Sequence, residues 1–170
     1  MAVLGPASHG LRSNEMSMSW RFFEGELDRE DVRNLLDQHF SEMRAGSPPD
    51  ACHVLPIDGL REPEIRFFSL REDGRLLGCG ALKRLEPGHG EIKSMRTADA
   101  ARGRGIGKAL LDHIVASARA EGISRLSLET GSTEQFAAAL RLYEREGFEP
   151  CEPFGGYADT PFTRFFTKAI

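Results

Sequence analysis

Residues 99–108 read DAARGRGIGK, and a regular helical pattern of apolar residues begins at Ile106. Three glycines alternate with other residues here, and three cations stand among them: Gly103, Gly105, Gly107, Arg102, Arg104 and Lys108. A helix N-terminus leaves unpaired N–H groups at the positive end of the helix dipole, and glycines let a phosphate approach that backbone closely. The stretch therefore predicts an anion cradle, with a pyrophosphate as the expected ligand.

Three common glycine-rich motifs do not fit this stretch. A P-loop needs glycine where the chain has Arg102, and Ser or Thr where it has Ala109. A dinucleotide-binding fingerprint needs GxGxxG after a strand of a βαβ unit, and here the third glycine is one residue out of place. An RNA-binding RGG tract would be repeated and disordered, whereas this one opens an amphipathic helix. A glycine-rich turn with surface arginines is the simplest alternative that stays open.

Composition narrows the class of protein further. The 170 residues suit one globular domain, and the net charge of -4 argues against a nucleic-acid binder. Cys52, Cys79 and Cys151 have neither disulfide nor zinc-site spacing, so reduced thiols and a cytoplasmic location are expected. No apolar run approaches the roughly 18 residues needed to span a bilayer. We therefore expect no metal site, no nucleic-acid partner and no membrane partner.

The order of predicted elements defines the fold class. Residues 1–18 read as a loose N-terminal extension, and residues 19–170 as a single domain. Strands are predicted at 20–27, 64–71, 75–85, 90–97, 123–130, 148–151 and 162–170. Helices are predicted at 28–43, at 106–120 and from about residue 136 to residue 147. This β-α-β-β-β-α-β-α-β-β order predicts an α/β (α+β) fold, with a mixed, mostly antiparallel central sheet flanked by helices.

Two sequence motifs indicate the family. Arg102, Gly105 and Gly107 fit the spacing Gln/Arg-x-x-Gly-x-Gly/Ala, and residues 142–148 read LYEREGF. Both resemble motifs of the GNAT superfamily of acyl-CoA-dependent N-acyltransferases, in which the second segment is LYExxGF. The resemblance extends over about residues 20–170 and implies a GNAT acetyltransferase domain that uses acetyl-CoA as cosubstrate. It implies that the pyrophosphate lies on the main chain of Arg102, Gly103, Arg104, Gly105, Ile106, Gly107 and Lys108. It also implies that the pantetheine arm pairs with Met95, Arg96 and Thr97.

Two residues are candidates for the acid–base chemistry. Without the resemblance, Tyr143 reads as a packed residue on the core face of its helix. The family commonly gives this tyrosine the role of general acid toward the departing thiolate, and a phenol pKa of about 10 suits that transfer. Glu91 is the candidate base, at a place on the central strand where family members often carry glutamate. A Glu91–Lys93 pair on a solvated sheet face is the structural alternative, and His53 is a reserve base.

The same strand is the expected source of the oxyanion donor, and one residue departs from the family pattern. Family members often have a bulge near the position of Met95, which exposes a main-chain N–H to the thioester. Many of them also place asparagine seven residues before the tyrosine, where its amide contacts the pantetheine arm. This chain has Phe136 there, so that contact is not expected.

The acceptor is the least defined part of the prediction. The first helix, the loop after it and the late loop at 152–163 carry arginine, histidine and aromatic residues, which indicate an anionic small molecule with a primary amine, such as an amino acid or related metabolite. Direct transfer in a ternary complex is expected. The alternatives are a non-catalytic acyl-CoA-binding regulatory module and a protein N-terminal or lysine acetyltransferase. A homodimer is a common assembly of such folds.

Overall fold

A computed structural model describes residues 19–170, so the prediction for residues 1–18 lies outside the described part of the chain. It contains three α-helices around a seven-stranded sheet. The helices are α1 (Glu30–Gly46), α2 (Ile106–Ala120) and α3 (Ala137–Arg145). The strands are β1 (Trp20–Glu24), β2 (Ile65–Glu72), β3 (Arg75–Glu86), β4 (His89–Thr97), β5 (Arg125–Gly131), β6 (Glu149–Pro150) and β7 (Thr163–Ala169).

The sheet has the strand order β1-β2-β3-β4-β5-β7-β6. Every neighbouring pair is antiparallel except β4 and β5, which are parallel. The predicted element order and the mostly antiparallel sheet are therefore confirmed. The first strand ends at Glu24, earlier than predicted, because Gly25 takes a left-handed φ of 76° and turns the chain out of the sheet.

The two faces of the sheet are covered by different helices. On one face, Val32, Leu35 and Leu36 of α1 pack against Phe67 and Ala81 of the sheet. On the other face, a larger cluster joins α2 and α3 to the strands, with Leu111, Ile114, Tyr143, Phe68, Ile92 and Leu128 among its members. The apolar side chains of each helix thus form its buried face, and the fold has three layers.

Both ends of α2 are set by glycines in the left-handed region. Gly105 precedes the helix with a φ of 82°, and Gly122 follows it with a φ of 77°. After the helix, the N–H of Gly122 donates to the carbonyl of Arg119, and the N–H of Ile123 donates to that of Ala118. These two bonds form a Schellman motif, which satisfies the last carbonyls of the helix.

Candidate active site

The predicted anion cradle is an open turn with free donors. Gly103 and Gly105 have φ values of 76° and 82°, and a Cβ atom added at either would meet no atom within 4 Å. Within residues 19–170, none of the six N–H groups from Gly103 to Lys108 donates a hydrogen bond to another protein group. Unpaired N–H groups at a helix N-terminus are suited to bind an anion. The turn therefore fits a diphosphate.

The three cations of the cradle all form ion pairs within the chain. Arg102 pairs with Asp99 at 2.8 Å, and its side chain is 62% exposed. Lys108 is half exposed and pairs with Asp112 at 2.8 Å and with Glu146 at 3.3 Å. Arg104 reaches Glu72 on β2 at 2.7 Å and is the least exposed of the three. Arg102 and Lys108 thus keep their freedom to turn toward a ligand, whereas Arg104 is held by β2.

A bulge in β4 separates that strand from β5. Cys79 of β3 is opposite Arg96, whereas Ala81 is opposite Lys93, so three steps along β4 face two steps along β3. Within this bulge Ser94 has a φ of 52°. The pairing of β4 with β5 covers only residues 89–91, and beyond it the two strands have different partners. The bulge predicted near Met95 is confirmed, and it opens the sheet at this point.

A cleft of about 200 Å³ lies at this opening and is lined from both faces of the sheet. Tyr143, Phe136 and Ile92 line it from the α2–α3 side, where they belong to the buried packing. From the α1 side it is lined by polar side chains: His39, His53, Glu91, Lys93, Arg96 and Glu129. One cavity thus joins an apolar wall that carries a phenol to a wall of titratable groups.

Tyr143 lies in the core and also borders the cleft. Its ring packs edge-on against Phe148 with ring centroids 5.8 Å apart, and its hydroxyl has no hydrogen-bond partner among residues 19–170. Burial raises the pKa of Tyr143 above its ordinary value, so the phenol keeps its proton at neutral pH. A protonated, unpartnered hydroxyl can donate to a group in the cleft.

Glu91 belongs to a buried three-residue network. Its Oε1 accepts hydrogen bonds from Lys93 Nζ at 3.0 Å and from the Tyr157 hydroxyl at 2.6 Å. Lys93 Nζ also donates to the Tyr157 oxygen at 2.6 Å, which closes a triangle. Burial, followed by the charge of Glu91, raises the pKa of Tyr157. The Glu91–Lys93 pair weighed from the sequence exists, but it is buried in the cleft rather than solvated.

Glu129 is a site residue that sequence reasoning missed. It follows Ser127 by two positions on β5, and Ser127 is paired with Glu91. Alternation along the strand therefore puts Glu129 on the face that carries Glu91 and Lys93. Its carboxyl has no hydrogen-bond or ion-pair partner among residues 19–170. Burial, supported by the charge of Glu91 and opposed by that of Lys93, raises the pKa of Glu129 to about 7.

The three residues predicted to run beside the pantetheine arm face different environments. The Met95 side chain packs toward α2 with the core. The Arg96 side chain lies on the opposite face, where its terminal nitrogens pair with Glu42 and Asp99. Thr97 is paired through its main chain with Gly78 on β3. Within the described part of the chain, the main chain of this segment has no strand partner on the β5 side.

The chain belongs to the acetyltransferase (GNAT) family, which matches residues 21–148. It is 46% identical over 145 residues to the uncharacterized N-acetyltransferase YsnE of Bacillus subtilis, covering 85% of this chain and 96% of that protein. It is 38% identical over 136 residues to an IAA acetyltransferase of Azospirillum brasilense, covering 79% of this chain and 86% of the relative. Its fold is similar to that of a Bacillus subtilis acetyltransferase in complex with CoA, at a TM-score of 0.67 and 17% identity, covering 89% and 99% of the two chains.

Membership of this family makes the protein an acetyl-transferring enzyme with acetyl-CoA as its cosubstrate. Among residues 19–170, no helix is both long and apolar enough to cross a membrane, and no group of three or more His, Cys, Asp or Glu side chains is arranged to hold a metal ion. Burial raises the pKa of the Cys79 thiol to about 12, so this cysteine is a packing residue rather than a nucleophile.

The raised pKa of Glu129 predicts a pH-dependent effect on stability. Its ordinary value is 4.5, so the folded protein binds this proton more tightly than the unfolded chain between about pH 4.5 and pH 7. The cost of ionising Glu129 in the folded state therefore grows as the pH rises through this range. We expect Glu129→Gln to raise the free energy of unfolding at pH 8 by at most about 3 kcal/mol, with little change at pH 4. Urea denaturation at both pH values measures this difference.

Glu134→Gln, at an exposed position, is the matched control. Equal effects of Glu129→Gln at pH 4 and pH 8 would contradict the assignment of a raised pKa to Glu129.

Proposed function

We propose that the protein is an N-acetyltransferase that moves the acetyl group of acetyl-CoA to a primary amine of a small molecule by direct transfer in a ternary complex. The observation that carries this proposal is that Tyr143, on one side of the sheet, and Glu91 and Glu129, on the other, line the same cleft. A proton donor for a leaving group and proton acceptors for a nucleophile are thereby directed at one space. Acyl transfer to an amine needs this pairing of groups.

The cradle at the start of α2 would hold the diphosphate of acetyl-CoA. Two features support this proposal: the N–H groups from Gly103 to Lys108 are free within residues 19–170, and they lie at the positive end of the helix dipole. Arg102 and Lys108 would exchange their exposed ion pairs for contacts with phosphate oxygens. Among the proposed cradle residues, Arg104 and Ile106 would contribute main-chain groups only, because Arg104 is bound to Glu72 and Ile106 is buried.

The bulge in β4 would place main-chain groups next to the thioester. Beyond Glu91 the main chain of β4 has no strand partner on the β5 side. Residues Met95, Arg96 and Thr97 would pair with the pantetheine arm there, and an N–H near Met95 would bind the developing oxyanion. When bound, acetyl-CoA supplies the activated acetyl group as a thioester. The contribution of the chain is to hold that group within reach of Tyr143.

Tyr143 would act as the general acid, and Glu91 as the general base. The burial that keeps the Tyr143 phenol protonated suits it to donate a proton to the departing sulfur. The Glu91 carboxylate, held in place by Lys93 and Tyr157, would take a proton from the acceptor ammonium, directly or through water, so that the free amine can attack the thioester. Glu129 lies on the same face and adds negative charge as its carboxyl ionises near pH 7. The two carboxyl groups favour binding of a cationic amine, and the charge of Lys93 opposes it.

A small-molecule acceptor such as an amino acid is supported by the size of the cleft, about 200 Å³, and by the polar residues that line it. A protein N-terminus or a lysine side chain is the competing acceptor. A regulatory module that binds acyl-CoA without turnover is disfavoured because Tyr143 and Glu91 both line the cleft. The three free cysteines support a cytoplasmic location. We also propose that the protein is a homodimer, which a measurement of its mass in solution tests.

We expect wild-type protein to release free CoA thiol from acetyl-CoA with at least one member of a panel of amines. The panel contains amino acids, simple amines, a lysine-containing peptide and IAA, which is named for the Azospirillum relative. Tyr143→Phe should lower kcat by about 100-fold or more, because it removes only the proton donor. Its Kd for acetyl-CoA, measured by calorimetry, should stay within about threefold of the wild-type value. Binding of acetyl-CoA without turnover by either form would establish the regulatory module instead.

We expect Gly105→Asp to abolish binding of acetyl-CoA, because it places a carboxylate against the proposed diphosphate site. Gly74→Asp is a matched control, since Gly74 has nearly the same φ, 81° against 82°, and equally open surroundings on the β2–β3 turn. Calorimetry should give a wild-type Kd for the control and no measurable heat for Gly105→Asp. Undiminished affinity of Gly105→Asp would refute the cradle.

We expect Glu91→Gln to lower kcat/KM most at moderate pH, where the acceptor is an ammonium ion, and to regain part of the rate as the pH rises and free amine becomes abundant. Tyr157→Phe is the control, because it removes the hydrogen bond to Glu91 but leaves the carboxylate in place. It should lower the rate less and keep the wild-type shape of the pH profile. A wild-type profile for Glu91→Gln would remove this residue from the role of base.

A further inference from the structure

Three buried side-chain nitrogens lack a hydrogen-bond partner within residues 19–170, and all three belong to residues that line the cleft. They are His39 Nδ1, His53 Nε2 and Arg96 Nε. Buried polar atoms are nearly always paired, because an unpaired one loses its contacts with water and gains nothing in return. Their concentration in one cavity indicates that a ligand supplies the missing partners.

Arg96 and His39 lie together on the α1 side of the cleft. The terminal nitrogens of Arg96 are held by Glu42, which lies on α1 three residues after His39, and by Asp99. Gln38 bonds to the same two carboxylates, so the whole group fastens α1 to β4. The Nε–H of Arg96 takes no part in this network. It is therefore a fixed donor that is left for another molecule.

The charge around this pair favours an anion over a neutral carbonyl group. The Arg96 side chain is 9% exposed, whereas those of Glu42 and Asp99 are 43% and 57% exposed, so water weakens their charges more than that of Arg96. Burial and the neighbouring Arg96 lower the pKa of His39 to about 4, so its imidazole is neutral at pH 7. A neutral imidazole can carry its proton on Nδ1 and act as a second donor.

We propose that Arg96 Nε–H and His39 Nδ1–H bind a carboxylate of the acceptor, so that the substrate is an amino acid whose amine faces Glu91. This inference rests on the proposed function and defines the substrate class of that site. Two donors that meet two oxygens suit a carboxylate, whereas a phosphate would bring a third oxygen and a second charge to this pair.

The third unpaired nitrogen belongs to the amine end of the cleft. The His53 ring lies against that of Tyr157, with centroids 4.8 Å apart, and Tyr157 bonds to both Glu91 and Lys93. Burial, followed by the charge of Lys93, lowers the pKa of His53, so its Nε2 can accept a hydrogen bond from an amine. The cleft thus has two unpaired donors near Arg96, and near Glu91 it has the acceptor atoms of Glu91 and His53 beside the Lys93 ammonium.

The spacing of the two ends guides the choice of substrates. Glu91 is opposite Lys83 and Arg96 is opposite Cys79, so the two residues lie four positions apart along β3, about 13 Å. Both side chains are long and line the cleft, so we test acids whose amine and carboxylate are separated by one to three carbon atoms. Glycine, β-alanine and 4-aminobutyrate cover this range and serve as probes.

The experiment compares each of these three acids with its primary carboxamide, which has the same amine and no negative charge. Rates of CoA thiol release are expressed as kcat/KM for the free amine, so that differences in amine pKa do not enter. We expect wild-type protein to prefer at least one acid over its amide by about tenfold or more. His39→Leu and Arg96→Lys should each reduce that ratio by about tenfold, mainly through KM for the acid.

His113→Leu is the control, because His113 stacks on Phe22 on the other face of the sheet and does not line the cleft. It should keep the wild-type acid-to-amide ratio. Thermal melting of each variant checks that it is folded. The Kd for acetyl-CoA is measured for both His39→Leu and Arg96→Lys. It should not change, because the pairing proposed for Arg96 with the pantetheine arm uses its main chain and not its side chain.

Two results would overturn the carboxylate site and leave the proposed function intact. One is equal kcat/KM for acids and amides in wild-type protein. The other is a weakened Kd for acetyl-CoA in His39→Leu and Arg96→Lys with an unchanged acid-to-amide ratio, which would assign these nitrogens to acetyl-CoA. Release of CoA thiol with none of the small amines, but with the lysine-containing peptide, would instead overturn the proposed substrate class itself.

Discussion

The divergence of β4 and β5 is the constraint on which the site depends. A continuous sheet would seal the space between the helices on its two faces. Here the ladder between β4 and β5 ends after Glu91, shortly before the bulge at Ser94, and each strand keeps its other neighbour, β3 or β7. The sheet remains one structure while the two strands separate. The groups of the cleft on both faces can therefore meet.

An opened sheet leaves main-chain and side-chain polar groups without partners, and the rest of the fold limits the resulting loss of stability. The apolar packing of α2 and α3 supports one edge of the opening, and the group of Gln38, Glu42, Arg96 and Asp99 ties α1 to the other. The polar groups that remain unpaired lie mainly in the cleft and at the start of α2. Such groups are poorly satisfied in the free protein, and ligands can satisfy them.

The order of elements, the start of α2 and the position of the bulge were predictable, since each depends on a local pattern or on a family motif. The Glu91–Lys93 pair was also predictable from alternation on one strand. Glu129 was not, because its role depends on the register between parallel strands far apart in sequence. His39 and Arg96 become neighbours only through the packing of α1 on β4. Tertiary contacts of this kind leave no periodic signal in the chain.

The two walls of the cleft belong to opposite faces of the sheet, and this arrangement has a consequence for the order in which ligands bind and leave. A large nucleotide-containing molecule would enter the cleft from one face of the sheet, and a small metabolite would enter it from the other face. Neither molecule would have to dissociate before the other could bind. Direct transfer between the two bound molecules, as proposed, would then involve no covalent acetyl-enzyme intermediate.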